Sequence, residues 1–172
     1  YDGLDTNALL SSSNYDRPIF ENFIATFGYR ELKLVLPDGT VMFSLRRGDD
    51  YQNNLGSQAL RNTPLAQLVK QSAEQRQILI SDLLYNELSQ APTQYLAAPI
   101  GSGDELQMTL VLELPIAPLN AVMQTRQGLG EQGETYLVGS DSRLRSDSVR
   151  FPELQVNRSL SPSTALTANA IS

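Results

Sequence analysis

The sequence predicts an α+β fold built on an antiparallel sheet, and three observations carry that expectation. Strand-like runs follow one another through short turns instead of crossover helices. A helix with one apolar stripe precedes them. A second helix stands between the first hairpin and the later strands. At 172 residues the chain can hold one ordinary core, or one domain and part of another.

The elements follow in order. Residues 1–16 show no sustained period and read as an extended lead-in or a fragment of an earlier helix. From Arg17, the residues Ile19, Phe20, Phe23, Ile24 and Phe27 fall at helical spacing, with Asp16 as N-cap, Pro18 in the first turn and Gly28 as the stop. Residues 32–36 and 41–44 flank Pro37-Asp38-Gly39-Thr40, and an Asp-Gly turn between strand-like runs signals a hairpin. Residues 46–62 are polar and read as a loop. Thr63 then caps and Pro64 opens a helix whose inward face is Leu65, Leu68, Val69 and Ala73. The runs 78–84, 95–100 and 106–114 complete five strands, the last two separated by Gly101-Ser102-Gly103-Asp104.

Residues 116–125 predict a further helix, and 135–138 with 144–146 a second hairpin. That hairpin lies over the first, Leu34-Val35 on Leu137-Val138, Asp38 on Asp141 and Val41 on Leu144. The expected organisation is a lead-in over 1–16, a principal module over 17–127, and a linker with the start of a second, incomplete module over 128–172. The tail from Ser159 has weak helical potential at 163–171.

Composition excludes much chemistry. The chain has no His, Cys or Trp, so an imidazole base, a thiolate nucleophile, a His/Cys zinc site and a disulfide are all ruled out. A net charge of −6 and a pI near 4.6 argue against a nucleic-acid partner. No apolar run approaches the roughly eighteen residues of a membrane span. No signal peptide is visible at Tyr1, as expected of a mature, excised or internal segment.

Two motifs yield to plain readings. Gly128-Leu129-Gly130-Glu131-Gln132-Gly133 has the letters of a dinucleotide fingerprint, but the order is helix, glycines, strand, and Glu131 would face the phosphate. A linker is expected. Asp49-Asp50 with Asp82 and Glu87 could pair for acid–base work or hold a hard cation, but acids on a polar loop are expected to be solvated. More telling are Tyr51, Tyr85 and Tyr95, which lie in or beside the segments connecting the sheet. With Arg46 and Asp82 they have the composition of a small-ligand pocket, with Asp82 available to a cationic group and Arg46 to an anionic one. The plainer alternatives are rim tyrosines that support loops and an Asp82 that accepts bonds from loop amides.

Three stretches resemble the Cache family of PAS-like extracytoplasmic sensor modules. They are Gly28-Tyr29 through Asp38-Gly39 to Asp50-Tyr51-Gln52-Asn53-Asn54-Leu55; then Asp82, Tyr85, Ser89, Pro92, Tyr95, Ala97 and Pro99-Ile100; and most specifically the run 130–139 with Asp141 and 144–148. The departures are Glu31 where Asp is common, Gln132 where Thr or Ser is usual, and the absence of Trp. The resemblance implies a PAS-like five-stranded antiparallel sheet flanked by helices. It also implies a periplasmic or extracellular small-molecule-sensing domain of an inner-membrane signalling receptor, serving chemotaxis or other signal transduction. Such a domain would have no catalytic residues, no metal and no cofactor, would be a homodimer through the parent receptor, and would bind a ligand bearing an amine or a carboxylate. The rival expectation is a ligand-free dimerisation or interaction module that contacts a periplasmic binding protein.

Overall fold

The structure is a computed structural model that describes residues 6–86, 91–102, 105–125, 128–130 and 133–156. Helix α1 runs Thr6–Phe27 with Pro18 inside it. The expected start at Asp16 is thereby corrected, and the lead-in is helical from Thr6. An interior proline lacks the N–H of the helix ladder and costs about 3 kcal/mol. The turns after it offset that cost, because Phe20, Phe23 and Ile24 pack on Leu32, Phe43, Leu45 and Leu112. Each such burial is worth up to about 1.5–3 kcal/mol. Gly28, at φ 75, ends the helix as expected.

Strands β1 (Glu31–Val35), β2 (Val41–Ser44), β3 (Leu79–Ile80), β4 (Leu84–Asn86), β5 (Ala91–Ser102) and β6 (Glu105–Leu114) form one antiparallel sheet. Its order is β2-β1-β6-β5-β3, with β4 also paired to β5. The run expected as one strand over 78–84 is split in two. The Ser81 hydroxyl accepts from the Tyr95 N–H at 2.9 Å and so replaces a backbone acceptor, while the Gln94 amide donates to the Ser81 carbonyl at 3.0 Å. The Asp-Gly hairpin stands: Asp38 Oδ1 accepts from the Thr40 N–H at 2.8 Å and Gly39 takes φ 90. Residues 52–55 then pair with the outer side of β2, through Gln52 N–H to the Val41 carbonyl and Val41 N–H to the Asn53 carbonyl, both at 3.0 Å. The open edge of β2 is thereby covered.

Alternation along β1 sorts the two faces. Leu32 packs on the α1 side, and Val35 joins the larger core beneath helix α2, Pro64–Gln75. Helix α2 starts as expected, Thr63 Oγ1 accepting from the Ala66 N–H at 3.2 Å, and Leu65, Leu68 and Val69 of its expected inward face are buried, while Ala73 is only half-buried and Ala66 and Ser72 are buried with them. Buried Ser72 ties the helix to the sheet, its hydroxyl 2.7 Å from the Gln77 carbonyl and 3.3 Å from that of Ala97.

The chain divides into two compact units, Tyr1–Asp82 with Gln94–Leu114, and Leu83–Thr93 with Pro115–Ser172. Strand β4 and helix α3 (Ala117–Met123) thus cluster with the second unit, a division different from the expected boundary near 127. Within the second unit, Val138 bridges Leu144, and the turn between them repeats the backbone bonds of the first hairpin turn. Gly139 N–H donates to the Arg143 carbonyl as Leu36 N–H does to that of Thr40. Asp141 Oδ1 accepts from the Arg143 N–H at 3.0 Å, as Asp38 does from Thr40. Ser142 takes φ 62 where Gly39 takes φ 90. The expected helix over 163–171 lies outside the described residues, as do residues 131 and 132 of the glycine tract. Thr63→Ala should cost about 1 kcal/mol and lower the melting temperature by roughly 2–4 °C, measured by thermal denaturation.

Candidate functional site

On the α2 side of the sheet, the row formed by Glu31 of β1, Glu113 of β6 and Tyr95 of β5 is set by the strand register. Glu31 is 3% exposed. Its Oε1 accepts from the N–H groups of Leu32 and Leu45, each at 2.8 Å, and its Oε2 from the Ser44 hydroxyl and the Arg46 N–H, each at 3.1 Å. Lys33, two residues along the same face, places Nζ 2.7 Å from Asp50 Oδ1 and 3.8 Å from Glu31 Oε2. Arg30 Nε lies 3.5 Å from Glu113 Oε1. Burial pushes the Glu113 carboxyl above its ordinary value, against the opposing pull of Arg30, Lys33 and Arg46 and with the repulsion of Glu31. Carboxylates and cations interleave here, and Glu31 is saturated with donors.

This row gathers part of the expected set. Arg46 is exposed, gives its N–H to Glu31, and acts on Glu113 through its charge. Tyr95 is buried at 4% exposure and sits opposite Glu113. Tyr51 is half-buried on the loop, under the Arg47 guanidinium at 5.6 Å from its ring centre. Asp82 lies in no strand and is exposed, and the apolar strand thought to bury it is absent, since Ile78 and Ile80 are 67% and 58% exposed. Tyr85 belongs to the second unit, in β4 opposite Pro92. The solvated loop acids expected at Asp49-Asp50 need a correction, because Asp50 is engaged by Lys33; Glu87 lies outside the described residues. Among the described residues, no cluster of three His, Cys, Asp or Glu side chains is placed to hold a metal ion.

Sequence reasoning missed Glu31, Lys33 and Glu113. The signal was available: charges at 31 and 33 alternate with Leu32 and Leu34, so both point to one face of a strand whose other residues are apolar.

Further along that face, roughly 13 Å down β1, a cleft of about 640 Å³ opens between α2 and the β1–β2 turn. Leu36, Leu55, Ala66, Val69 and Leu106 form apolar wall, and Asp38, Arg61, Lys70 and Glu74 bring charge to it. None of the five residues expected at a site lines this cleft. Its volume and largely apolar lining match those of small-molecule pockets, at roughly 300–1,000 Å³.

An α+β fold, with a strand-and-turn antiparallel sheet and a cleft on one face of it, is what this geometry defines. Comparison with solved structures gives the same class. The chain is similar to the sensory domain of the Campylobacter jejuni chemoreceptor Tlp3, with a TM-score of 0.62, 13% identity, and coverage of 93% of this chain and 61% of that one. It is similar to the ligand-binding domain of Mlp24 solved with asparagine, at 0.57 and 12%, covering 94% and 64%. The sensor domain of the V. cholerae histidine kinase DctB matches at 0.52 and 14%, covering 70% and 46%. The chain therefore spans from under half to about two thirds of the length of these structures. No family model matches it, and no curated protein matches it in sequence. At such identities the shared property is the fold, and the α+β architecture of an antiparallel sheet flanked by helices expected from the Cache resemblance is the architecture found, with six strands where five are expected.

Two outcomes follow for the polar row. Lys33→Ala leaves the Glu31 and Asp50 carboxylates facing each other without their cation, and should destabilise the chain by about 3–5 kcal/mol in urea unfolding. Glu113, whose folded carboxyl lies above the ordinary 4.5, holds its proton better in the folded chain than in the unfolded one. Its contribution to stability is therefore present below about that value and is lost as pH rises through the elevated one. Glu113→Gln should remove this loss, so the difference in melting temperature between variant and wild type should move in favour of the variant as pH rises from 4 to 7.

Proposed function

We propose that this chain is the periplasmic or extracellular small-molecule-sensing domain of a transmembrane signalling receptor, of the chemotaxis or histidine-kinase kind, and that it binds without making or breaking a bond. The observation that carries the reading is the cleft of about 640 Å³ beneath α2, in a fold shared with domains described as sensory or ligand-binding. The same likeness supports a binding role over an enzymatic one, and assembly as a homodimer through the parent receptor belongs to this proposal. Among the described residues no helix is long and apolar enough to cross a membrane, so the membrane anchor is assigned to the parent protein. The set Arg46, Tyr51, Asp82, Tyr85 and Tyr95 stands as a separate proposal; in the first unit it now centres on Arg46 and Tyr95 beside Glu113.

A sensed ligand must bind one of two conformations better, by roughly 1–3 kcal/mol in typical allosteric coupling. The test is a thermal-shift screen of metabolites against wild type and Ala73→Trp, which places a bulky ring at the cleft. At about a hundred times its Kd, a ligand adds ~2.7 kcal/mol of stability, or roughly 5–10 °C for a chain of this size. The expected result is at least one compound with such a shift in wild type and none in Ala73→Trp. Shifts in neither protein would favour the ligand-free interaction module.

A further inference from the structure

The charged groups at the cleft differ in how far they are already engaged. Asp38 is used locally, its Oδ1 accepting from the Thr40 N–H at 2.8 Å and its Oδ2 from the Thr40 hydroxyl at 3.0 Å. Lys70 and Glu74 face each other at 3.9 Å with side chains 75% and 64% exposed, a pair that water largely screens. Arg61 lines the same cleft, and its guanidinium has no hydrogen bond or ion pair with any described residue. The walls next to it are apolar, with Leu55 3% and Val69 6% exposed. A cation entering here meets an Asp38 that is already engaged and a Glu74 shared with Lys70, and is opposed by Arg61. A neutral apolar molecule leaves the guanidinium unmatched. A carboxylate matches its planar fork with two parallel charge-assisted bonds.

We infer that the cleft takes a small monocarboxylate with an apolar body, its head group on Arg61 and its hydrocarbon against Leu55, Val69 and Leu106. This rests on the proposed sensing role and specifies its ligand class. The volume of about 640 Å³ is far larger than a lone anion needs, so the apolar body is part of the recognition. Lys70, exposed and paired with Glu74, adds little to the attraction for the head group.

The test is calorimetric titration of the chain with hexanoate, alongside hexan-1-ol and hexylammonium at matched concentration. Hexanoate should bind saturably at one site, the alcohol at least about tenfold more weakly, and hexylammonium not measurably. Arg61→Gln should weaken hexanoate about ten- to hundredfold with the unliganded melting temperature within about 2 °C of wild type, since the side chain is exposed and has no partner among the described residues. Lys70→Gln should cost no more than about threefold. Equal binding of hexylammonium, or an unchanged Kd for hexanoate in Arg61→Gln, overturns the assignment. No heat from hexanoate, together with another metabolite whose binding Ala73→Trp abolishes, overturns the carboxylate class and leaves the sensing role standing. If no compound responds to Ala73→Trp, both fall.

Discussion

Both oxygens of the buried Glu31 carboxylate are held by donors from the chain as it enters and leaves the first hairpin: Leu32 and Leu45 on one, Ser44 and Arg46 on the other. A carboxylate withdrawn from water is tolerable only when its lone pairs are filled in this way. The arrangement fixes the direction in which the 46–62 segment leaves β2. From there the next contacts are determined in turn. Asp50 reaches Lys33, residues 52–55 pair along β2, Leu55 and Leu60 enter the larger core, and Thr63 starts α2 over the sheet. The cleft is the space left where α2 passes the turn end of β1, and so it depends on a carboxylate at the opposite end of the same strand.

The same device recurs in the second unit. Glu134 stands to its hairpin as Glu31 does to the first, accepting from the Ser148 hydroxyl at 3.0 Å and from the N–H groups of Val149 and Arg150. Burial pushes its carboxyl up, but the bonds from Tyr136, Val149, Ser148 and Arg150 outweigh that and hold it below its ordinary value. Glu113, with no comparable set of donors, is moved the other way by burial. Deeper burial moves the Glu113 carboxyl up, while a fuller set of donors on a shallower carboxylate moves that of Glu134 down. The departure at Glu31 from the Asp common in Cache-like sequences keeps the carboxylate and lengthens its reach.

What was legible in the sequence was what local chemistry decides. Thr63-Pro64 starts a helix and Asp38-Gly39 turns a hairpin because each motif satisfies its own backbone, and both stand in the structure. The Asp16-Pro18 signal was equally local but failed, since the helix continues through the proline and the packing of Phe20 on Phe43, at 5.2 Å between ring centres, is non-local. The break at Ser81 was invisible because it depends on the distant Tyr95 N–H. Asp82 looked buried because its neighbours in sequence are apolar, yet Ile78 and Ile80 face solvent. Arg46 and Tyr95 both fall beside Glu113, but the cleft is not legible in the sequence, because Arg61, Lys70 and Leu106 meet only through the passage of α2 over the sheet.

The two ends of this sheet face differ mechanically. At the polar end Glu31 and Lys33 are saturated, so displacement there would break several charge-assisted bonds, each worth about 1.5–3 kcal/mol. At the cleft end, α2 is bound to β5 through Ser72 and otherwise by apolar packing, which is non-directional. A ligand acting in the cleft therefore displaces α2 about Ser72 more readily than it displaces the loop. The helix leads through Arg76, in the left-handed conformation at φ 55, into β3, where Leu79 and Ile80 pair with β5 and the following Ser81 N–H donates to the Tyr95 carbonyl at 2.8 Å. Each of these bonds is worth roughly 0.5–1.5 kcal/mol net, so the loss of one or two of them is the size of a typical allosteric coupling energy, roughly 1–3 kcal/mol. In the proposed sensor, β3 is accordingly the element whose pairing a ligand is energetically able to change, and it is the strand from which the chain passes at Leu83 into the second unit.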